Sequence, residues 1–341
     1  MRIVGVDLGY GYVKAAAGGD ARIMFPSVVG AVRDLSLAAG IGANNIGYRV
    51  AVNADEKFVG ELAIRESLDP VRPFGQEKID HPATKILLAT ALSLVGGGTV
   101  HLVTGLPIRH YAAQKDAMRD ALRGFQAEVR VYEKDIQAHV KIEELTVFPQ
   151  SAGALFGAML AAANGLLDEP DLLHPSGLIA CVDVGYRTTD VCVLDAGADF
   201  ALIHRMSDTF DVGMGQAAEA VREQLSTESG RGVPLRAVEA ALDDVDGGLF
   251  WWRDKEYDLS EYAQPALQEL AATLAAALER LWGDDADRVR KTLIAGGGGL
   301  RLAPWLSNLL PGAVALDDPQ MANAVGFYHV AMDRARRLQR A

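Results

Sequence analysis

The sequence predicts an α/β protein of two domains built on one plan. Three observations carry that expectation. The 341 residues suit about two domains at roughly 100–200 residues each. Short β-branched runs alternate with apolar stripes of helical spacing, the pattern of sheets covered by helices. The segment Val6-Asp7-Leu8-Gly9-Tyr10 also recurs, 176 positions later, as Val182-Asp183-Val184-Gly185-Tyr186, with apolar strand on both sides of each copy. Internal duplication is the economical explanation of such self-similarity.

Composition narrows the class further. Half of the residues are hydrophobic and 23% are charged, which suits a globular chain and excludes disordered, collagen-like and disulfide-framework proteins. Asp and Glu outnumber Lys and Arg by 45 to 33, a formal charge of −12. That field opposes direct binding to a nucleic-acid backbone. Cys181 and Cys192 are too few for a stapled domain or a zinc site, and the seven histidines are scattered, so a reducing, cytoplasmic setting is expected. Asp7 interrupts the N-terminal apolar run, and no stretch of 18 residues is free of charge and apolar throughout; neither export nor membrane insertion is expected. Glycine stands out, with 35 residues against a usual share of about 7%.

Along the chain, the run 2–6 ends at the first aspartate and glycine turn and resumes at Val13, which predicts strand, tight turn, strand. Between about 30 and 75 the helical pattern lapses, and short strands at 49–53 and 57–59 suggest a small insertion in the first domain. Helix 81–94, strand 99–104, helix 110–125, strands 128–132 and 141–147, and helix 151–166 follow. The run 178–182 ends at the second aspartate turn and resumes at Val191, repeating the first pattern. Strand 200–205 and helices 215–225 and 234–242 lead to the clearest helix, 266–282, where Leu267, Leu270, Leu274, Leu278 and Leu281 fall at three- and four-residue steps. Phe250, Trp251, Trp252 and Tyr257 form an aromatic cluster, read either as a satellite core or as a partly exposed subunit contact. Strand 292–295 runs into Gly296, Gly297, Gly298 and Gly299 and then a helix, giving strand, glycine loop, helix. Helix 323–338 closes the chain, and Arg334, Arg336, Arg337 and Arg340 suit its C-terminal dipole.

Asp7 and Asp183 each stand at a strand end immediately before a glycine turn. Such a turn exposes backbone N–H groups and carries no bulky tip, so it can cradle phosphate oxygens. A carboxylate beside a phosphate is useful when a cation lies between them, and Mg²⁺ is commonly held by one or two carboxylates with phosphate oxygens. Lys14, seven residues after Asp7, can bring positive charge to the same phosphates if the second strand runs back beside the first. Other nucleotide and hydrolase signatures fail. No Gly-Lys dipeptide supports a Walker A loop, Leu300 and Arg301 break a dinucleotide fingerprint after the glycine run, and no serine stands in a G-x-S-x-G elbow.

Taken in order, VDLGYGYVK resembles the phosphate 1 motif of the actin, heat-shock chaperone and sugar kinase superfamily, VDVGYRTTD its phosphate 2 motif, and LIAGGGGLRLAPWL its adenosine motif. VFPQSAGALFGAML and DDPQMANAVGFYHVA resemble its two connecting helices, so the resemblance covers nearly the whole chain. FPSVVG, FVGELA and the aspartate-bounded DVGYRTTD are most similar to the ParM/StbA plasmid-segregation group and its archaeal actin-like relatives.

The resemblance implies an actin-like, ribonuclease H-like fold, with two duplicated α/β domains around a nucleotide cleft. It divides the chain into 1–150, with the insertion at about 30–75, a second domain at 151–317, and a terminal helix, 318–341, returning to the first. Asp7 and Asp183 would hold Mg²⁺ through water. Gly9, Tyr10, Gly11 and Tyr12 with Gly185, Tyr186, Arg187 and Thr188 would clamp the β- and γ-phosphates, and Lys14 would touch the β-phosphate. Gln150 falls where the family orients the attacking water; the ParM group is expected to carry Glu there, so Gln is the more actin-like choice. Asp190 would polarise the same water, Gly296 to Gly299 would pass under the adenosine, and Glu239 would meet the ribose. The small residues Ala152, Gly153, Ala154, Gly157 and Ala158, facing Ala322, Ala324 and Gly326, suggest a close helix crossing that serves as a hinge.

The function so implied is an ATPase that binds Mg-ATP, or GTP, between its domains and polymerises with itself into dynamic filaments for plasmid or DNA segregation. DNA would be reached through an adaptor protein, with no direct nucleic-acid or membrane contact. A non-polymerising small-molecule kinase and a nucleotide-binding scaffold without turnover are the alternatives.

Overall fold

The β-branched N-terminal run forms β1 (Arg2–Leu8), whose central residues are fully buried. In the computed structural model, which describes residues 1–18, 21–35, 47–73, 80–242 and 248–340, β1 belongs to the first of two units: Met1–Asp168 with Met321–Ala341, and Glu169–Gln320.

In the first unit, β1 is followed by β2 (Tyr12–Ala17), β3 (Arg22–Pro26), β4 (Val29–Ala31), β5 (Tyr48–Val52), β6 (Asp55–Val59), α1 (Glu61–Glu66), α2 (Pro82–Leu94), β7 (Gly98–Leu106), α3 (Ile108–Leu122), β8 (Gln126–Val131), β9 (Ile136–Pro149) and α4 (Gln150–Ala163). These strands make one sheet, in the order β3-β2-β1-β7-β9-β8-β5-β6-β4. β1 pairs antiparallel with β2 and parallel with β7, and β7 pairs parallel with β9. Parallel neighbours need a long crossover, and α2 and α3 supply apolar cover for it: nearly every residue of α2 from Ala83 to Ser93 is buried. β8 instead alternates exposed and buried residues along its length, the signature of a strand with one face in the core.

The second unit repeats the plan. β10 (Leu178–Val184), β11 (Thr189–Asp195), β12 (Ala201–Leu202), β13 (Asp208–Phe210), α5 (Met214–Ser229), α6 (Leu235–Leu242), β14 (Leu249–Trp252), β15 (Lys255–Asp258), α7 (Leu259–Trp282), β16 (Val289–Ala295), α8 (Gly297–Leu309) and β17 (Ala313–Ala315) follow in order. β10 pairs antiparallel with β11 and parallel with β16, which pairs parallel with β17. Every residue of β10 is buried, as expected of a central strand covered on both faces. The leucine stripe of α7 packs on this sheet with Val182, Val193 and Ile294.

The last helix, α9 (Ala322–Arg340), belongs to the first unit. There it crosses α4 at close range. A Cβ on Gly157 would lie 2.5 Å from Gly326 Cα, and one on Gly326 would lie 2.0 Å from the Gly153 carbonyl oxygen. Phe327, fully buried, fills the space over Gly153 and Gly105.

Several expectations need correction. The segment 30–75 holds a helix, α1, and its strands join the main sheet; its parts 36–46 and 74–75 lie outside the described residues. The strand expected at 200–205 stops at Leu202 because Ser207 Oγ accepts the Val193 N–H and donates to the Ile203 carbonyl, replacing the ladder there. α7 starts at Leu259 rather than 266, since the Asp258 side chain caps the Ser260 N–H at 2.9 Å. The glycine run is mostly not a loop: Gly297, Gly298 and Gly299 are the first turn of α8. In the aromatic cluster, Phe250 and Tyr257 are buried and Phe250 stacks on Trp252, whereas Trp251 is exposed.

Candidate functional site

In the first unit the β1–β2 register sets Asp7 opposite Lys14. Lys14 Nζ lies 3.0 Å from Asp7 Oδ2, and both side chains are largely buried. Gln150, the first residue of α4, is delivered by the long strand β9 and donates its amide to Asp7 Oδ1 at 3.1 Å. The turn between the strands is drawn tight at Gly9, where a Cβ would lie 2.6 Å from the Tyr12 carbonyl oxygen. Ser27 fastens that turn from behind: its hydroxyl donates to the Gly9 carbonyl at 2.7 Å and its N–H to the Gly11 carbonyl at 2.8 Å. Both of those carbonyls are thereby held by Ser27.

The second unit presents the corresponding hairpin. Asp183 faces Asp190 in register, and both are buried. Thr209, paired with Asp190 across β11 and β13, donates its hydroxyl to Asp190 Oδ1. The turn 185–188 closes through the Gly185 N–H to the Thr188 carbonyl at 2.9 Å. So the equivalent hairpin position carries a cation, Lys14, in one unit and a second carboxylate, Asp190, in the other. Like charges directly across a sheet are unfavourable, and a cation beside Asp183 and Asp190 relieves that cost. The donor sets of both hairpins are carboxylate oxygens, which suits a largely hydrated Mg²⁺. Among the described residues no group of three or more His, Cys, Asp or Glu converges as an all-protein cage.

Around the second turn the backbone is packed to its limit. Gly296 has φ +83°, and a Cβ there would lie 2.3 Å from the Val184 carbonyl oxygen and 2.4 Å from Asp183 Oδ1. Gly298 is pressed against Met214 and Val184. Gly296 is thereby brought beside Asp183, and the α8 N-terminus, where a helix leaves its first amides without intrahelical partners, begins one residue later. Glu239 of α6 accepts from the Tyr186 hydroxyl. Arg187 is exposed.

Two contributors escaped the sequence reading. Met214 N–H and Gly215 N–H donate to the Gly185 and Tyr186 carbonyls at 3.1 and 2.7 Å, so the start of α5 holds the second turn as Ser27 holds the first. The glycine pair in Gly213-Met214-Gly215 before a helix was the available signal: at Gly213 a Cβ would lie 2.7 Å from the Tyr186 carbonyl oxygen. The other is Ser27 itself, which sits inside the FPSVVG segment. Between these hairpin strands, Cys181 and Cys192 lie in register and fully buried. Burial pushes the Cys192 thiol up to about 12 and raises Cys181 as well, with the carboxylates of Asp183 and Asp190 adding to the latter.

Residues 5–153 match the family model for the N-terminal domain of actin-like proteins, and residues 181–308 match the model for the C-terminal domain of MreB-like archaeal actin homologues. The chain belongs to the actin-like superfamily. An archaeal actin homologue of Thermoplasma acidophilum is 27% identical over 97% of this chain and 99% of its own. Among solved structures, a ParM from a 15-stranded Clostridium botulinum filament is 28% identical, with a TM-score of 0.82 over 97% of this chain and 99% of its own. An archaeal actin homologue in complex with ADP is 25% identical, with a TM-score of 0.79 over 98% and 100%. The actin-like chain thus has the actin-like fold, and its aspartate hairpin occurs once in each of the two units. No helix among the described residues is long and apolar enough to cross a membrane.

Proposed function

We propose that this actin-like chain binds one Mg-ATP through both aspartate hairpins, hydrolyses it, and assembles with copies of itself into filaments. The observation that carries the reading is the Asp7 carboxylate at the head of a glycine turn with the Gln150 amide on one oxygen and Lys14 on the other. The ADP complex and the filament of its relatives support the nucleotide and the self-assembly.

In this reading the N–H groups of 9–12 and 185–188 take the phosphate oxygens, and Lys14 meets the β-phosphate. Asp7 and Asp183 would hold Mg²⁺ through water, and the ion would supply charge neutralisation at the phosphates. A carboxamide is no base, but it has an acceptor as well as donors. With its amide anchored on Asp7, Gln150 offers its carbonyl oxygen to a water and orients it toward the γ-phosphate. Asp190, fixed by Thr209, polarises the same water. Gly296 to Gly299 pass beneath the nucleoside, and Glu239 receives a ribose hydroxyl. GTP fits the same phosphate chemistry.

The protein works in the cytoplasm in this account, and DNA segregation is the proposed use of its filaments. The charge of −12 assigns the DNA contact to an adaptor protein. Sedimentation tests the whole reading. The purified chain is expected to pellet with Mg-ATP above a critical concentration and to stay in the supernatant without nucleotide. Flat light scattering across the concentration series, together with phosphate transfer to a small molecule, would replace it with a kinase.

A further inference from the structure

Ser27 is buried and holds the first turn through two bonds, its hydroxyl to the Gly9 carbonyl at 2.7 Å and its N–H to the Gly11 carbonyl at 2.8 Å. The four residues after it hold α1 and the chain beyond. The Val28 carbonyl accepts the N–H of Gly60, the N-cap of α1, at 2.9 Å. Val29 and Val71 exchange backbone bonds at 2.9 and 2.8 Å. At Gly30 a Cβ would collide with Ser67 Oγ, and that hydroxyl donates to the Ala31 carbonyl at 3.0 Å. Ser67 is the C-cap of α1. Both ends of α1 are therefore fastened to one short run of chain, 27–31, whose first residue holds the turn 9–12.

In a planar trans peptide the C=O and the N–H of one unit point opposite ways. The bond on Gly9 thus sets the direction of the Tyr10 N–H, and the bond on Gly11 that of the Tyr12 N–H, both away from Ser27. An acceptor that engages such an N–H strengthens the carbonyl of the same unit as an acceptor, because linked hydrogen bonds polarise one another. We propose that Ser27 is a positioning residue that couples the first turn to α1: phosphate oxygens held at the turn 9–12 tighten the Ser27 bonds, and residues 27–31 pass that restraint to both ends of α1. The inference rests on the nucleotide reading above and adds its regulation, since the order of α1 then reports the occupied turn. Coupling of this kind is reciprocal, so a partner that ordered α1 would tighten the turn for nucleotide.

Hydrogen–deuterium exchange of the full chain, without nucleotide and with saturating Mg-ADP, tests the coupling in the wild type, Ser27→Ala and Ser67→Ala, with α3 as the reference helix. In the wild type, Mg-ADP is expected to slow the amides of 28–31 and 60–67 by about fivefold or more beyond any change in α3, the scale of one net hydrogen bond. Ser27→Ala should lose most of that slowing at both ends of α1. Ser67→Ala, which leaves Ser27 and the turn intact, should keep it at 28 and 60 and lose it at 65–67. No greater slowing in α1 than in α3 of the wild type, or the full wild-type slowing at α1 in Ser27→Ala or at 65–67 in Ser67→Ala, overturns the proposal. Should Ser27→Ala fail to fold, the wild type and Ser67→Ala decide alone. Parallel calorimetry separates the two readings: a wild type that binds no Mg-ADP overturns the nucleotide reading and this inference with it, whereas binding without the slowing overturns this inference alone.

Discussion

Gln150 donates its side-chain amide to Asp7 Oδ1 at 3.1 Å, joining the head of α4 to the end of β1. That bond fixes the carboxamide through the same carboxylate to which Lys14 is paired at 3.0 Å. In the proposed function, the residue that would hold the metal would also anchor the group that orients a water. Removing the carboxamide costs positioning and little binding. Gln150→Ala is expected to slow phosphate release by about 10²-fold, the lower range for loss of a positioned catalytic group, while the ADP dissociation constant stays within about threefold, under 1 kcal/mol. Single-turnover phosphate release with parallel ADP titration checks it, and an equal loss in both would assign Gln150 to binding.

The helix crossing gives a stability test. A Cβ on Gly326 would meet the Gly153 carbonyl oxygen at 2.0 Å, whereas one on Gly232 would meet nothing within 4 Å. Gly326→Ala should destabilise the chain by about 1–3 kcal/mol or more through overpacking, and Gly232→Ala should change it by less than about 0.5 kcal/mol. Denaturant unfolding of the two variants, read at unchanged slope, is the measurement. Equal stability of the two would mean that α4 and α9 are not in this contact.

The buried thiols give a pH test. Cys192 titrates at about 12 in the folded chain, against an ordinary value of 9.0, because burial penalises the thiolate. The folded state thus keeps its proton where the unfolded state gives it up. Its contribution is complete below pH 9.0 and is lost as pH rises toward 12, at about 1.4 kcal/mol per pH unit. Stability should fall over that window, less steeply in Cys192→Ala. At neutral pH neither cysteine of the folded chain should react with an alkylating reagent, and both should react in denaturant.

The two aspartate hairpins were legible because their chemistry is local: strand, carboxylate, glycine turn and returning strand follow within nine residues in VDLGYGYVK. The partner at the seventh position was legible for the same reason, since the antiparallel register sets Asp7 against Lys14 and Asp183 against Asp190. Glycines 297–299 were misread because propensity counts glycine against a helix, while close packing against Met214, Val184 and Ile294 decides their place. The end of β12 depended on Ser207 reaching Val193, a bond between residues of different elements. The Tyr186–Glu239 and Ser27–Gly9 bonds join residues 53 and 18 positions apart, and no periodicity encodes such pairs.

Both hairpins are proposed to serve one magnesium-bound nucleotide. Calorimetric titration of the full chain with Mg-ATP, alongside Asp7→Ala and Asp183→Ala, tests it most directly. The account expects one nucleotide per chain and, in each single variant, loss of the magnesium-dependent binding. Two nucleotides per chain, or a single variant that keeps the wild-type affinity, would contradict it.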